Sequence, residues 1–180
     1  LLNDLVCHNE LVPTNTVWHV VHDVAAGLKH INECGLVHLD VKPANLLISE
    51  KGTIKIGDFG MAAKIASIED GLEGDQRYMA PELLNNSERL PSADIFSLGL
   101  TLFELCYTEE QLLRGDINLP REGLRWHVLR NGEAGPLVNR PEELNSIVKK
   151  MMAPVPSDRP DANTVLSVVE VSRTGDDIDD

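Results

Sequence analysis

Residues 36–60 read LVHLDVKPANLLISEKGTIKIGDFG, and this stretch decides the fold of the 180-residue chain. Two apolar runs on either side of the turn residues Ser49-Glu50-Lys51-Gly52 predict a β-hairpin. Such a hairpin would bring Asp58 close to Asp40 and Asn45, although Asp58 lies 18 residues beyond Asp40 in the sequence. The stretch therefore predicts one site that contains two carboxylates and one amide.

Both ends of this stretch carry motifs that resemble those of the protein kinases. His38-Leu39-Asp40-Val41-Lys42-Pro43-Ala44-Asn45 is similar to the catalytic-loop pattern H-R-D-L-x-x-x-N, and Asp58-Phe59-Gly60 to the metal-binding DFG turn. Ala80-Pro81-Glu82 supplies the third landmark in the expected order. At roughly 5 % per position, nine fixed residues in the correct order do not arise from composition. The resemblance covers the chain to about residue 172.

The resemblance implies the chemistry of phosphoryl transfer, which depends on positioning and charge neutralisation. Asn45 and Asp58 are the candidate ligands of Mg²⁺, since magnesium prefers hard oxygen donors. Asp40 is the candidate base for the substrate hydroxyl, and Lys42 can offset charge on the transferred phosphoryl group. Leu47 is expected to pack under the base of ATP. The implied cofactors are therefore ATP and Mg²⁺.

Other residues of the motifs are expected to have structural roles. By the resemblance, Asp94 should tie the backbone of the catalytic loop from a buried helix, and Glu82 should pair with Arg159. His38 is interpreted as a packed, hydrogen-bonded brace. The complete predicted structural set is His38, Phe59, Gly60, Glu82, Asp94 and Arg159.

Two departures from the usual kinase pattern concern the activation segment, which joins the DFG turn to Ala80-Pro81-Glu82. Leu39 replaces the arginine that normally binds a phosphate on this segment, which favours a segment held without phosphate. Asp75 stands where threonine is usual, and its carboxylate would attract Lys42 and repel Asp40. An ordinary loop acid is the alternative interpretation of Asp75. Asp75 and Tyr78 are both expected to belong to the part of the activation segment that faces the substrate.

Four segments together resemble the Wee1/Myt1 family: H-L-D-V-K-P-A-N, E-G-D-x-R-Y-M-A-P-E, D-I-F-S-L-G and L-P-x-x-G-x-x-W-x-x-L-R-x-G. The resemblance implies a mitosis-inhibitory kinase that phosphorylates cyclin-dependent kinases on the tyrosine of their glycine-rich loop. In the Myt1 branch the neighbouring threonine is also a target. The loop around Lys42 otherwise resembles serine/threonine kinases, so tyrosine specificity rests on the resemblance alone.

Two other functions remain open at this point. One is a serine/threonine kinase of another branch, in which Asp75 is a coincidence. The other is a truncated product or pseudokinase that binds a partner through its helical lobe. A CDK-derived peptide would separate the two kinase interpretations, because phosphate on tyrosine favours the first and phosphate only on serine or threonine the second.

Composition limits the classes of protein that this chain can belong to. It is 42 % hydrophobic and 25 % charged, as is typical of soluble globular proteins. A net charge of −13 argues against a general nucleic-acid binder, and no apolar run approaches the ~20 residues that span a bilayer. Cys7, Cys34 and Cys106 are scattered, which predicts free, buried thiols in a reducing compartment. We therefore expect an intracellular protein of the nucleus or cytoplasm, although a membrane-tethered parent stays open.

Apolar residues recur at helical spacing between Val17 and Ile31. They predict a helix of about five turns that has side-chain caps within residues 13–16 and ends at Gly35. Three further helices are predicted at residues 92–105, from Pro141 and after the capping Asp161. Residues 1–10 are expected to form a short helix, residues 61–78 a mobile loop, and residues 107–140 loops around one or two short helices.

The predicted fold is mainly α with a small β-hairpin. By the resemblance it is the C-terminal lobe of the α+β protein-kinase fold, formed by residues 1–172, with an acidic, disordered tail at residues 173–180. No G-x-G-x-x-G loop or V-A-I-K lysine precedes Asp40, and 39 residues are too few for a five-stranded N-terminal lobe. We therefore expect the chain to be a fragment that alone binds ATP weakly and turns over negligibly.

Overall fold

The structure is a computed structural model that describes residue 2 and residues 12–68, 74–85, 88–106, 119–137 and 139–175. It is mostly helical with two small sheets. The helices are α1 (Thr14–Glu33), α2 (Pro91–Leu105), α3 (Leu124–Arg130), α4 (Glu142–Met151) and α5 (Ala162–Gly175). The strands are β1 (Leu36–Val37), β2 (Leu46–Ile48), β3 (Ile54–Ile56) and β4 (Ala63–Lys64). Short 3₁₀ turns lie at Pro43–Asn45, Phe59–Met61, Pro81–Asn85 and Pro156–Asp158.

Helix α1 buries the apolar stripe that the sequence predicts, from Val17 to Ile31. Its predicted side-chain caps are wrong, because Pro13 is the N-cap residue and no side chain caps the first turn. The Pro13 carbonyl instead accepts a hydrogen bond from the Val17 amide at 3.0 Å. Gly35 follows the end of the helix with φ of +77°, a left-handed conformation that glycine adopts without steric cost.

The predicted hairpin is confirmed, with β2 antiparallel to β3 and Leu46 opposite Ile56. A second antiparallel pair, which the sequence analysis did not predict, joins β1 to β4 with Val37 opposite Ala63. This pair fixes the chain just before residue 38 to the chain just after the DFG turn. The β1–β4 sheet therefore links the start of residues 36–60 to the chain that follows Gly60, and the β2–β3 hairpin lies between them.

Helix α2 is the centre of the core, as its nearly uninterrupted apolar sequence predicts. Residues on all its sides are buried, and the helix packs against α1 and α4, while α5 packs on α1. Phe96 is fully buried, and Gly99 lies directly against Met151 and Met152. A helix that is apolar all round needs such coverage on every face.

The C-terminal helices begin near their predicted positions. Pro141 immediately precedes α4, and the Asp161 side chain caps α5 by accepting a hydrogen bond from the Thr164 amide at 2.7 Å. Helix α5 continues to Gly175, three residues into the expected acidic tail, and residues 176–180 lie outside the described part of the chain.

Several other expectations meet the structure only in part. Cys106 is a buried thiol as expected, but Cys34 is exposed, since it follows the end of α1 at the surface; Cys7 lies outside the described residues. The predicted helix at residues 1–10 also lies outside them apart from Leu2. One short helix, α3, is present in the expected loop region, of which residues 107–118 are not described. No helix within the described residues is long and apolar enough to cross a membrane.

Candidate active site

The hairpin places the DFG turn beside the catalytic-loop residues. The amide of Gly57 donates to the carbonyl of Asn45 at 2.8 Å, so Asp58 follows directly on a residue that is bonded to Asn45. Asp58 has a left-handed backbone (φ of +57°), and its carboxylate accepts a bond from the Gly60 amide at 3.2 Å. The Asp58 side chain is otherwise at the surface, where a carboxylate can meet a ligand.

Asp40, Lys42 and Asn45 form one connected cluster. The Asn45 side-chain NH₂ donates to Asp40 Oδ2 at 2.7 Å and to the Asp40 carbonyl at 2.8 Å. Lys42 Nζ lies 2.9 Å from the same Asp40 Oδ2. Because the NH₂ group of Asn45 faces Asp40, its Oδ1 points the opposite way and can act as a hard oxygen ligand. Asp40 and Asn45 are both about nine-tenths buried, which strengthens these interactions.

Asp94 holds the backbone of the catalytic loop from the first turn of α2. One carboxylate oxygen accepts from the His38 amide and the other from the Leu39 amide, each at 2.7 Å. Burial raises the pKa of Asp94, and the two amide bonds offset part of that rise. Leu39 has φ of +65°, an unfavourable conformation for a branched side chain, so these bonds stabilise a strained position.

His38 is a buried brace between the loop and the DFG turn. Its Nδ1 accepts from the Asp40 amide at 3.3 Å, and its Nε2 lies 3.0 Å from the Gly57 carbonyl. This pattern assigns the ring proton to Nε2, since a carbonyl can only accept. The ring meets Phe59 edge to face at a centroid distance of 5.0 Å.

Asp75 lies close to the same cluster. Its Oδ2 lies 3.8 Å from Lys42 Nζ, and Arg77 binds the carboxylate through Nε at 2.9 Å and Nη2 at 2.5 Å. Burial would raise the pKa of Asp75, but the hydrogen bonds and charge of Arg77, together with the charge of Lys42, hold it below its ordinary value. Lys42 therefore lies between two carboxylates, those of Asp40 and Asp75.

Tyr78 does not face a substrate, contrary to the expectation from sequence. Its side chain is buried, and its hydroxyl donates to Oε2 of Glu104 in α2 at 2.6 Å. Burial raises the pKa of the phenol, and the carboxylate of Glu104 adds to that rise. Tyr78 thus anchors the activation segment to the core.

Glu82 pairs with Arg159 across 77 residues of sequence. Arg159 donates to the two carboxylate oxygens at 2.6 and 2.8 Å, and its side chain is fully buried. This is the pairing that the resemblance implies, and it joins the end of the activation segment to the C-terminal part of the chain.

Three residues of the site were missed by sequence reasoning: Glu104, Trp126 and Arg130. Arg130 donates to the carbonyls of Gln76, Arg77 and Met79, and Trp126 donates to that of Gln76. Burial lowers the pKa of Arg130 to about 10. The W-x-x-L-R spacing is a signal in the sequence, but it indicates a family and not these contacts.

The donor set fits a magnesium ion. Magnesium is usually held by one or two protein carboxylate or amide oxygens plus phosphate and water, which is what Asn45 and Asp58 can offer. Leu47 is 47 % and Phe59 51 % exposed beside them. An apolar surface next to hard oxygens suits a nucleotide, although the role of Leu47 remains a prediction.

The sequence was compared with known proteins. A profile described as "Protein kinase domain" matches residues 1–169. A probable protein kinase of Dictyostelium discoideum is 48 % identical over 122 residues, covering 68 % of this chain and 32 % of the relative. A membrane-associated tyrosine- and threonine-specific cdc2-inhibitory kinase of Drosophila melanogaster is 40 % identical over 162 residues, covering 87 % and 28 %.

The mitosis inhibitor protein kinase wee1 of Schizosaccharomyces pombe is 37 % identical over 180 residues, covering 86 % of this chain and 20 % of the relative. The chain therefore spans about a third or less of the length of these curated relatives.

Proposed function

This chain belongs to the protein kinase family and is Wee1-like, and from that premise we propose that it supplies the catalytic residues of a kinase that inhibits cyclin-dependent kinases at mitotic entry. The reaction is transfer of the γ-phosphate of ATP to a protein hydroxyl. Relatives named as mitosis inhibitors and as a cdc2-inhibitory kinase support the choice of substrate class.

The observation that carries the proposal is the position of Asp40. Its carboxylate is held by Lys42 at 2.9 Å and by Asn45 at 2.7 Å, and the hairpin brings Asp58 next to Asn45. A buried carboxylate fixed in this way can orient a substrate hydroxyl and accept its proton. Lys42 is close enough to the same oxygen to neutralise charge as a phosphoryl group arrives.

Asn45 and Asp58 are the residues that would hold magnesium, and Leu47 would contact the base of ATP. When bound, the metal neutralises charge on the nucleotide phosphates. The protein's own contribution is to fix the two oxygens: the Asn45 amide is oriented by Asp40, and Asp58 is set by the bond from Gly57 to Asn45.

The side chain at position 75 suits a substrate other than that of most serine/threonine kinases. Lys42 Nζ lies 2.9 Å from Asp40 and 3.8 Å from Asp75, so the site carries a carboxylate where threonine is usual. For this reason, and because the Drosophila relative is named tyrosine- and threonine-specific, we include tyrosine of a cyclin-dependent kinase as the acceptor.

We further propose that residues 1–172 form the C-terminal lobe of the kinase fold. Leu47 and Phe59, which are exposed near Asp58, would be covered by nucleotide and by the N-terminal lobe of a kinase fold. The 180 residues alone are therefore expected to bind ATP weakly and to turn over negligibly.

The test uses the chain extended with its upstream coding sequence, incubated with ATP, Mg²⁺ and a CDK-derived peptide that carries both tyrosine and threonine. We expect phosphate on the tyrosine. Asp40→Asn should lower kcat by about 100-fold or more, whereas Asp158→Asn, at an exposed position away from the site, should leave kcat unchanged.

The outcomes separate the rival functions. Phosphate on serine or threonine of unrelated peptides, with none on the CDK tyrosine, would favour another kinase branch. An extended protein with no glycine-rich loop and no transfer activity would favour a binding module. Full activity of the Asp40→Asn variant would exclude the assignment of the base.

A further inference from the structure

Arg130 and Trp126 bind the activation segment through its backbone. Arg130 Nη2 donates to the carbonyls of Gln76 at 2.7 Å and Arg77 at 3.1 Å, and its Nε donates to that of Met79 at 3.1 Å. Trp126 Nε1 donates to the same Gln76 carbonyl at 3.0 Å. Three carbonyls next to Asp75 in sequence are thus held by two side chains of α3.

Other backbone groups of this short stretch are also bonded. The carbonyl of Tyr78 accepts from Ser97 Oγ at 2.8 Å, so four consecutive carbonyls, 76–79, bind side chains of α2 and α3. The amides of Tyr78 and Met79 donate to the carbonyl of Asp75 at 3.0 and 3.2 Å. The backbone of residues 75–79 is therefore held by several hydrogen bonds within the protein.

The guanidinium of Arg130 is built into this position. The residue is 3 % exposed, and its Cζ lies over the Trp126 ring at 3.9 Å from the ring centroid. Stacking on an aromatic ring and donation to several carbonyls are the interactions that a planar guanidinium makes well and a lysine ammonium does not. Its pKa of about 10 still leaves it charged at neutral pH.

The activation segment has few hydroxyl groups that could be phosphorylated. Between Gly60 and Ala80 only Ser67 and Tyr78 carry hydroxyl groups. The Tyr78 hydroxyl is buried against Glu104, and Ser67 Oγ donates to the Lys64 carbonyl at 2.7 Å next to β4. Leu39 in turn occupies the position of the usual phosphate-binding arginine.

We propose that Trp126 and Arg130 are positioning residues that hold residues 75–79, without any phosphate, in the conformation that places Asp75 against Lys42. The structural half of this proposal stands on the contacts above. The catalytic half rests on the proposed function, because it concerns how a substrate is presented to Asp40.

The structural half is tested by hydrogen exchange on the unphosphorylated 180-residue chain. In the wild type, the amides of residues 77–79 should be protected. Arg130→Lys keeps the charge but loses the planar fork, and it should speed exchange of the 74–80 peptide by about tenfold or more. Arg121→Lys, at an exposed position just before α3, is the matched control and should leave exchange unchanged.

Trp126→Phe is the second variant, because it removes one donor while keeping an aromatic ring for the guanidinium. It should speed exchange of the same peptide by a smaller factor, even if Arg130→Lys does not fold. Thermal unfolding and exchange of α2 show whether each variant is folded. Equal exchange of the 74–80 peptide in a folded variant and the wild type, or a wild-type segment that is protected only after phosphorylation of Ser67, would overturn the proposal.

The catalytic half is tested on the extended kinase with the CDK-derived peptide. Arg130→Lys should raise KM for the peptide by about tenfold and leave KM for ATP unchanged, since the nucleotide residues are not displaced. An equal rise in KM for the peptide and in KM for ATP would contradict a positioning role. An inactive wild-type extended protein would count against the proposed function, while the exchange experiment would still decide the structural half.

Discussion

At the scale of single residues, Glu104 is a buried titratable group that contacts the activation segment. Its carboxylate is 4 % exposed inside the core and accepts from the Tyr78 hydroxyl at 2.6 Å. Burial raises its pKa most strongly, while hydrogen bonds from Tyr78 and the Leu119 amide lower it in part, and the net shift is upward. Glu104 thus links the activation segment to α2, and its raised pKa makes the free energy of unfolding depend on pH.

The sign of that dependence follows from the raised pKa. The folded chain binds the Glu104 proton more tightly than the unfolded chain, whose ordinary pKa is 4.5. The stabilisation of the folded chain by the protonated Glu104 is therefore complete below pH 4.5. It is lost as pH rises through the pKa that Glu104 has in the folded chain. Glu104→Gln cannot ionise, so the free energy of unfolding of the wild type relative to this variant should fall as pH rises above 4.5.

Urea unfolding at pH 4.5 and at a series of higher pH values measures this difference. Glu122→Gln, at an exposed position, is the control and should keep the wild-type pH dependence. If Glu104→Gln and the wild type change in parallel with pH, the carboxylate is not held in the way described.

The sequence predicted which residues form the catalytic cluster, because Asp40, Lys42 and Asn45 lie within six positions of one another. It did not predict the role of Arg130, whose partners at residues 76–79 lie more than fifty positions away. Tyr78 was misassigned for a related reason. It occurs in a polar, weakly patterned stretch, and only the arrangement of α2 beneath that stretch makes it buried.

At the scale of elements, the close packing of α2 on α4 depends on one small residue. A Cβ atom added to Gly99 would lie 2.8 Å from Met152 Cγ and 2.9 Å from Met151 Cβ. Gly99 does not have a positive φ, so glycine is required at this position for space and not for backbone conformation. The two helices would have to separate, or the methionines move, to accept any side chain.

Gly99→Ala should therefore destabilise the chain by about 1–3 kcal/mol through overpacking. Alanine would otherwise favour the helix by about 1 kcal/mol, so a loss of stability isolates the packing cost. Gly135→Ala is the matched control, since a Cβ there meets nothing within 4 Å. Urea unfolding followed by circular dichroism measures both, and a Gly99→Ala variant as stable as the wild type would show that the contact is loose.

Elements with strong periodicity were predictable, and elements fixed by distant pairing were not. Helix α1 follows its apolar spacing closely, because a face of that width must be buried. It begins at Thr14, within the predicted residues 13–16, but the polar side chains after Pro13 do not cap it. Strand β4 has two residues, which are too few to show an alternating pattern. It forms because Ala63 pairs with Val37 of β1, which lies near the start of residues 36–60.

At the scale of the whole molecule, Arg159 links the activation segment, the start of α2 and the residues that follow α4. It binds Glu82 at the end of the activation segment and the carbonyls of Ser92, Ala153 and Pro154. Its guanidinium also lies 4.7 Å from the ring centroid of Phe96, the buried aromatic of α2. The same ring has Arg130 at 5.9 Å, so the two guanidinium groups connect the core to both the segment and the C-terminal helices.

The loss of Arg159 should consequently cost more than the loss of its charge partner. Arg159→Met leaves the Glu82 carboxylate and three carbonyls without their donor, and it should destabilise the chain by about 3–5 kcal/mol. Glu82→Gln keeps an acceptor for the guanidinium, which also retains its carbonyls, and should cost about 1–2 kcal/mol. Lys149→Met, at an exposed position in α4, controls for the removal of a cation. Urea unfolding followed by tryptophan fluorescence gives all three values. Equal costs for Arg159→Met and Glu82→Gln would mean that the ion pair alone matters and that the carbonyl contacts of Arg159 contribute nothing to joining the molecule.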